Sequence, residues 1–116
     1  MQQRTELEKL VKALRLFQTL DTEMQIPTIL TFLELAMWDE NESPSVKDLG
    51  NKIGTKTSAT AGSRNVMTWC DVNRTMEKGY DMMETKINPA YRVAKQVFMK
   101  AKGDAFADAL VDIMKR

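Results

Sequence analysis

The sequence predicts a mainly α-helical fold carrying a small β-hairpin, and three observations predict it. Several stretches repeat apolar residues at spacings of three and four, the period of a helix with one buried face. Two β-prone stretches, "YDMMETKI" and "YRVAKQVFM", flank Asn88-Pro89-Ala90, a composition suited to a turn. The segment "KINPAYRVAKQVFMKAKG" around that turn holds five cations (Lys86, Arg92, Lys95, Lys100 and Lys102) and no carboxylate, in a chain of net charge +1.

Taken in order, "QRTELEKLVKALRLFQTL" places Leu7, Leu10, Val11, Leu14 and Phe17 on one face, which predicts a helix ending near Leu20. In "DTEMQIPTILTFLELAMW", Pro27 suits a first helical turn, where its missing N–H costs nothing. Ile26, Ile29, Leu30, Leu33, Ala36 and Met37 make its apolar stripe broad, as in a central, largely buried helix. "DENESP" reads as a loop. Ser45, with Asp48 three residues on, predicts a capped short helix carrying Val46, Leu49 and Ile53, with Gly54 placed to end it. After the turn "TKTS", residues 58 to 69 read as a helix with Ala59, Val66 and Trp69 available for packing. Ser58, Thr60, Ser63, Arg64 and Asn65 give that helix a hydrogen-bonding composition, and Gly62 inside it costs about 1 kcal/mol against alanine. Close approach to another backbone or to a ligand accounts for such a glycine, and so does a frayed N-terminal turn. "CDVNRTMEKG" reads as irregular, and a last helix from Lys102 carries Phe106, Leu110, Ile113 and Met114.

Composition narrows the function. At 116 residues the chain makes one domain. Its apolar runs are too short to span a membrane, and no signal peptide is expected. A single cysteine, Cys70, forms no internal disulfide, and the lack of histidine excludes a Cys/His zinc site, so a cytoplasmic setting and no cofactor are expected. Without histidine, general acid–base work would fall to scattered carboxylates such as Asp39, Glu40 and Glu42, which read as a solvated loop; no enzyme activity is expected. Charge is unevenly spread: residues 1–48 carry five cations and nine anions, residues 49–103 ten cations and four anions. A basic middle suits a polyanion-facing surface, although a solvated face would look the same.

Two helices, a short helix, a turn, a polar helix, a hairpin and a closing helix make the layout of a winged helix-turn-helix. In such a module the helix after the turn reads the major groove and the hairpin's cations meet phosphate. Use of the same fold as a protein-interaction module is the plainer alternative.

Residues 26 to 110 also resemble winged-helix regulators of the multiple-antibiotic-resistance (MarR) type, particularly short phage and prophage members. The likeness rests on "PTILTFLELA", "SVKDLGNKIG", "SRNV" and "NPAYRVAKQVFMKAKG", similar in order and spacing to that family's second helix, the helix before its turn, its recognition helix and its wing. Tyr91 and Val93 stand where many such wings pair an aspartate with an arginine, and Met99-Lys100 where they read Leu-Thr. The resemblance implies that Asn88-Pro89 is the wing turn, that Arg92 and Lys95 are wing cations, and that Gly103 opens the last helix. It further implies a homodimer built from residues 1–22 and 102–116 around a DNA-binding core, residues 26–100. Larger members bind phenolic ligands or oxidise a cysteine, which makes Cys70 a conceivable sensor; no effector is identified.

The expectation is therefore a transcriptional regulator, a repressor, binding double-stranded DNA as a dimer in the cytoplasm of a bacterial or phage-infected cell. Lys56, Ser58, Thr60, Ser63, Arg64 and Asn65 are expected at the major groove, with Arg64 on guanine and Asn65 on adenine or phosphate. Lys86, Arg92 and Lys95 are expected at the backbone or minor groove. The alternative is a phage winged-helix protein acting on single-stranded nucleic acid or on a host protein such as RNA polymerase, with Tyr91 as a stacking residue.

Overall fold

Among the described residues, apolar periodicity and local capping place five helices and one hairpin in the order α1 (Thr5–Gln18), α2 (Ile26–Met37), α3 (Val46–Lys52), α4 (Ala59–Trp69), β1 (Met83–Ile87), β2 (Lys95–Met99) and α5 (Ala101–Lys115). The computed structural model describes residues 4–39, 42–53, 59–71, 78–87 and 95–115, with backbone alone for 59–63. The expected Asn88-Pro89-Ala90 turn, Gly54, Lys56, Ser58, Tyr91 and Arg92 lie outside those residues.

The short helix starts as its sequence dictates. Ser45 Oγ accepts from Asp48 N–H at 3.0 Å, and the Asp48 carboxylate accepts from Ser45 N–H at 3.4 Å, a reciprocal box that satisfies two otherwise orphaned donors. Pro27 lies in the first turn of α2, as its lack of an N–H predicts.

The core is aromatic. Phe17 of α1, Phe32 of α2, Trp69 of α4 and Phe106 of α5 meet at centroid distances of 4.8 to 6.4 Å, mostly edge to face. Tyr80 closes the cluster 5.3 Å from Trp69. Four helices are thus joined by rings that each contribute about 1.5–3 kcal/mol or more through burial, with a further ~0.5–1.5 kcal/mol for a well-oriented pair. Leu49, Val66, Met83 and Val97 fill the rest and are fully buried.

β1 and β2 pair antiparallel, with Met83 opposite Met99 and Ile87 opposite Lys95. Met83, Val97 and Met99 point to the body; Glu84, Lys86, Gln96 and Phe98 occupy the other face, as the two-residue period requires. The far edge of β2 is also used: Val97 N–H donates to Pro44 O at 2.9 Å, and Ser45 bridges to Gln96. The end of the expected loop "DENESP" therefore works as a rudimentary third strand.

Two boundaries and one buried face differ from expectation. β1 begins at Met83 rather than Tyr80, because the N–H groups of residues 79–82 are spent on the carbonyls of the last turn of α4 and of the two residues after it, as described below. α5 begins at Ala101, which puts Gly103 inside the first turn rather than at its opening. The apolar face expected of α1 is divided: Phe17 and Ala13 are buried, whereas Leu7, Leu10, Val11 and Leu14 are 41–54% exposed.

Candidate nucleic-acid interface

Because α4 carries the hydrogen-bonding residues, what fixes that helix fixes the candidate site. Trp69 is fully buried, and its indole Nε1–H donates to Thr28 O of α2 at 2.8 Å. The Thr28 hydroxyl donates to Asn65 Oδ1 at 3.1 Å. One threonine of α2 thus clamps α4 at two points, a turn apart.

The C-terminal end of α4 is held by backbone. Gly79 N–H donates to Asp71 O at 2.8 Å, Tyr80 N–H to Thr68 O at 3.2 Å, Asp81 N–H to Cys70 O at 3.0 Å and Met82 N–H to Trp69 O at 2.7 Å. Carbonyls that a helix terminus leaves without partners are satisfied by the strap that leads into β1. The strap lies so close that a Cβ on Gly79 would sit 2.0 Å from Cys70 O. Asp81 takes a left-handed conformation (φ 58°) to turn the chain from the helix end toward the hairpin. Its carboxylate accepts from Lys100 Nζ at 2.5 Å, and Lys100 N–H donates to Met82 O at 2.9 Å. That bond holds Asp81 below the ordinary carboxylate range and raises Lys100 above the ordinary lysine value. Gly103 lets α5 approach from the other side; a Cβ there would lie 2.4 Å from Met82 O. The orientation of α4 relative to the hairpin is therefore set by backbone hydrogen bonds and two close glycine contacts.

The expected site residues divide as follows. Arg64 is exposed on α4, and its carbonyl accepts from the Thr68 hydroxyl at 3.1 Å. Thr60 and Ser63 belong to the same helix. Asn65 is half-buried, and its Oδ1 is engaged by Thr28, so the two-point contact that an amide makes with adenine competes with an internal bond. On the hairpin, Lys86 and Lys95 are exposed. Lys86 lies 3.2 Å from Glu84 and 5.0 Å above the Phe98 ring. An exposed ion pair of this kind is worth about 0–1 kcal/mol, so it yields readily to a stronger anion. Lys100, one of the five clustered cations, is paired with Asp81, both side chains remaining partly exposed. Lys56, Ser58 and Arg92 lie outside the described residues.

Sequence reasoning missed Thr28, Gly79 and Asp81, and saw Lys100 only as one of the clustered cations; these residues hold α4 and the hairpin rather than present chemistry. Gly79 beside a polar linker carried a faint signal. The pairing of Asp81 with Lys100 across 19 residues carried none.

Cys70 is buried, and its thiol is pushed up to about 11 by desolvation and then by the nearby Asp71 carboxylate. Such a thiol is a poor nucleophile and a poor redox sensor. An open cleft of about 360 Å³ lies between the end of α2 and β2, floored by Leu35 and Val97 and rimmed by Asp39, Glu42 and Asp104. Carboxylates at its mouth oppose anionic ligands of the phenolate kind. Among the described residues no group of three His, Cys, Asp or Glu side chains converges to hold a metal ion, and no helix is long and apolar enough to cross a membrane.

No protein-family model matches the sequence, and no curated protein matches it.

Proposed function

We propose that this chain is a winged helix-turn-helix protein that binds double-stranded DNA as a homodimer and regulates transcription, as a repressor. The observation that carries the reading is the rigid link between α4, with Arg64 exposed, and the hairpin bearing Lys86 and Lys95. A helix entering a major groove and a neighbouring cationic hairpin must keep a fixed relation if both are to engage one duplex. Four backbone hydrogen bonds from the strap supply that relation. The likeness to MarR-type regulators supports the same assignment for "SRNV" and the wing.

In this reading Arg64 donates to a guanine edge, Thr60 and Ser63 line the groove, and Asn65 supports the helix from its inner side. Lys86 exchanges Glu84 for phosphate, and Lys95 and Arg92 follow the backbone. Dimerisation places two copies of α4 on half-sites about one helical turn apart. The exposed leucines of α1 and the exposed Val111 and Met114 of α5 support a dimer through the first and last helices. Binding to single strands is less well supported, because stacking needs exposed rings. Phe17, Phe32, Trp38, Trp69, Tyr80 and Phe106 belong to the core cluster or pack against it; Phe98 is half-buried on the outer face of the hairpin beneath Lys86, and Tyr91 lies outside the described residues.

Selection of bound fragments from random duplex at moderate salt tests the proposal. A recovered inverted repeat supports it. Equal recovery of all sequences, or preference for single strands, overturns it.

A further inference from the structure

α2 is apolar on nearly every side, yet one side is open. Ile26, Leu30, Leu33 and Met37 follow one another at spacings of four, three and four, a single line along the helix in which only Leu33 is half-buried and packs against the core. Ile29, Phe32 and Leu35 face the core, whereas Ile26 is 70%, Leu30 36% and Met37 71% exposed. A helix that is hydrophobic all round is ordinarily covered all round. The second uncovered stripe is that of α1, Leu7, Leu10, Val11 and Leu14, which also keeps helical spacing.

The charges around the two stripes are opposite. From residue 16 to residue 46 the chain holds six carboxylates (Asp21, Glu23, Glu34, Asp39, Glu40 and Glu42) and no lysine or arginine. α1 and its cap carry Arg4, Lys9, Lys12 and Arg15 against Glu6 and Glu8. Within one copy neither stripe covers the other, since both are exposed.

We propose that in the homodimer α1 of each copy lies along the outer face of α2 of the other. The inference rests on the dimeric reading above and departs from it in the receiving surface, which is α2 in place of α5. An isologous arrangement buries both stripes twice with one operation, because residue i on one copy meets residue j on the other and the reverse. At roughly 180 Å² for a large exposed aliphatic residue, the seven exposed side chains of the two stripes offer on the order of 650 Å² per copy. A pair then buries about 1,300 Å², within the span of about 1,200–2,000 Å² typical of specific interfaces. Arg15 and Lys12 of one copy come to lie along the acidic flank that includes Glu34 of the other. A foreign basic helix would need the same features that the chain already supplies.

Two measurements test this on the full chain. Leu10→Cys and Leu30→Cys proteins are mixed and treated with a short bismaleimide, with Leu10→Cys plus Thr85→Cys as control; the native Cys70 is buried and gives little background. In parallel, Leu30→Glu is compared with the native chain by sedimentation and by circular dichroism melting. The expected results are an α1–α2 adduct well above the control and a dimer dissociation constant raised at least about tenfold with the fold retained. A native dimer with no excess adduct, or one indifferent to Leu30→Glu, overturns this arrangement and leaves the dimeric reading standing. A native chain that is monomeric at high micromolar concentration overturns both.

Discussion

Replacing Gly79 by alanine probes the strap that ties α4 to the hairpin. The new Cβ falls 2.0 Å from Cys70 O and 3.0 Å from Thr68 O, both backbone atoms that cannot rotate aside. Ordinary contact begins at 3.4 Å, so the strap must retreat by more than about 1 Å. The bonds from Tyr80 to Thr68 and from Asp81 to Cys70, now 3.2 and 3.0 Å, then pass beyond hydrogen-bonding range. Two or three lost backbone bonds at about 0.5–1.5 kcal/mol each, plus the strain of overpacking, give an expected loss of about 2–4 kcal/mol. Urea unfolding followed by tryptophan fluorescence reads this directly, because Trp69 is fully buried at the strained end of α4. The midpoint should fall with an unchanged slope. A loss below about 0.5 kcal/mol would refute the reasoning, since a strap that absorbs a methyl group without cost is not holding the helix.

Three further outcomes follow from the same geometry. Lys95→Ala should weaken binding to every duplex alike and reduce the log–log salt dependence by about one unit per site contacted; an unchanged slope in filter-binding or anisotropy titrations would remove Lys95 from the phosphate contacts. Cys70 in the native protein at pH 8 should react with a thiol reagent at least about a hundredfold more slowly than in the urea-unfolded chain, because burial both shields the sulfur and suppresses the thiolate; equal rates would contradict its placement. Asp81, held low by Lys100, contributes stability at pH values above the ordinary carboxylate pKa and loses it as pH falls through its depressed value. Lys100→Met should flatten that acid-side loss in the urea midpoint, and an identical pH profile would show that the pair is not formed.

Much of this architecture is legible in the sequence, for local reasons. Pro27 and the Ser45–Asp48 box mark helix starts because their effects act within one turn. Phe17, Leu49, Val66, Trp69 and Leu110 all lie at core spacings and all are buried. What escaped the sequence depends on distant partners. The N–H groups of residues 79–82 could have joined β1, and only the arrival of the α4 carbonyls diverts them. The apolar periodicity of α1 shows one face, whereas the packing of Phe17 and Ala13 against the body turns the neighbouring leucines outward. Of the candidate site, Arg64 and the hairpin lysines were visible as charges. That Lys100 pairs with Asp81, and that Asn65 is engaged by Thr28, became visible only when residues 19 and 37 positions apart met.

The most direct test of the central claim compares native protein and Arg64→Ala on a selected duplex, on single-base variants of it and on the separated strands. The account predicts that the native protein prefers the duplex and that Arg64→Ala loses about 1–3 kcal/mol of discrimination at one base position while retaining its weaker, salt-dependent binding. A uniform fall in affinity across all sequences, or equal binding of the single strands by the native protein, would contradict it.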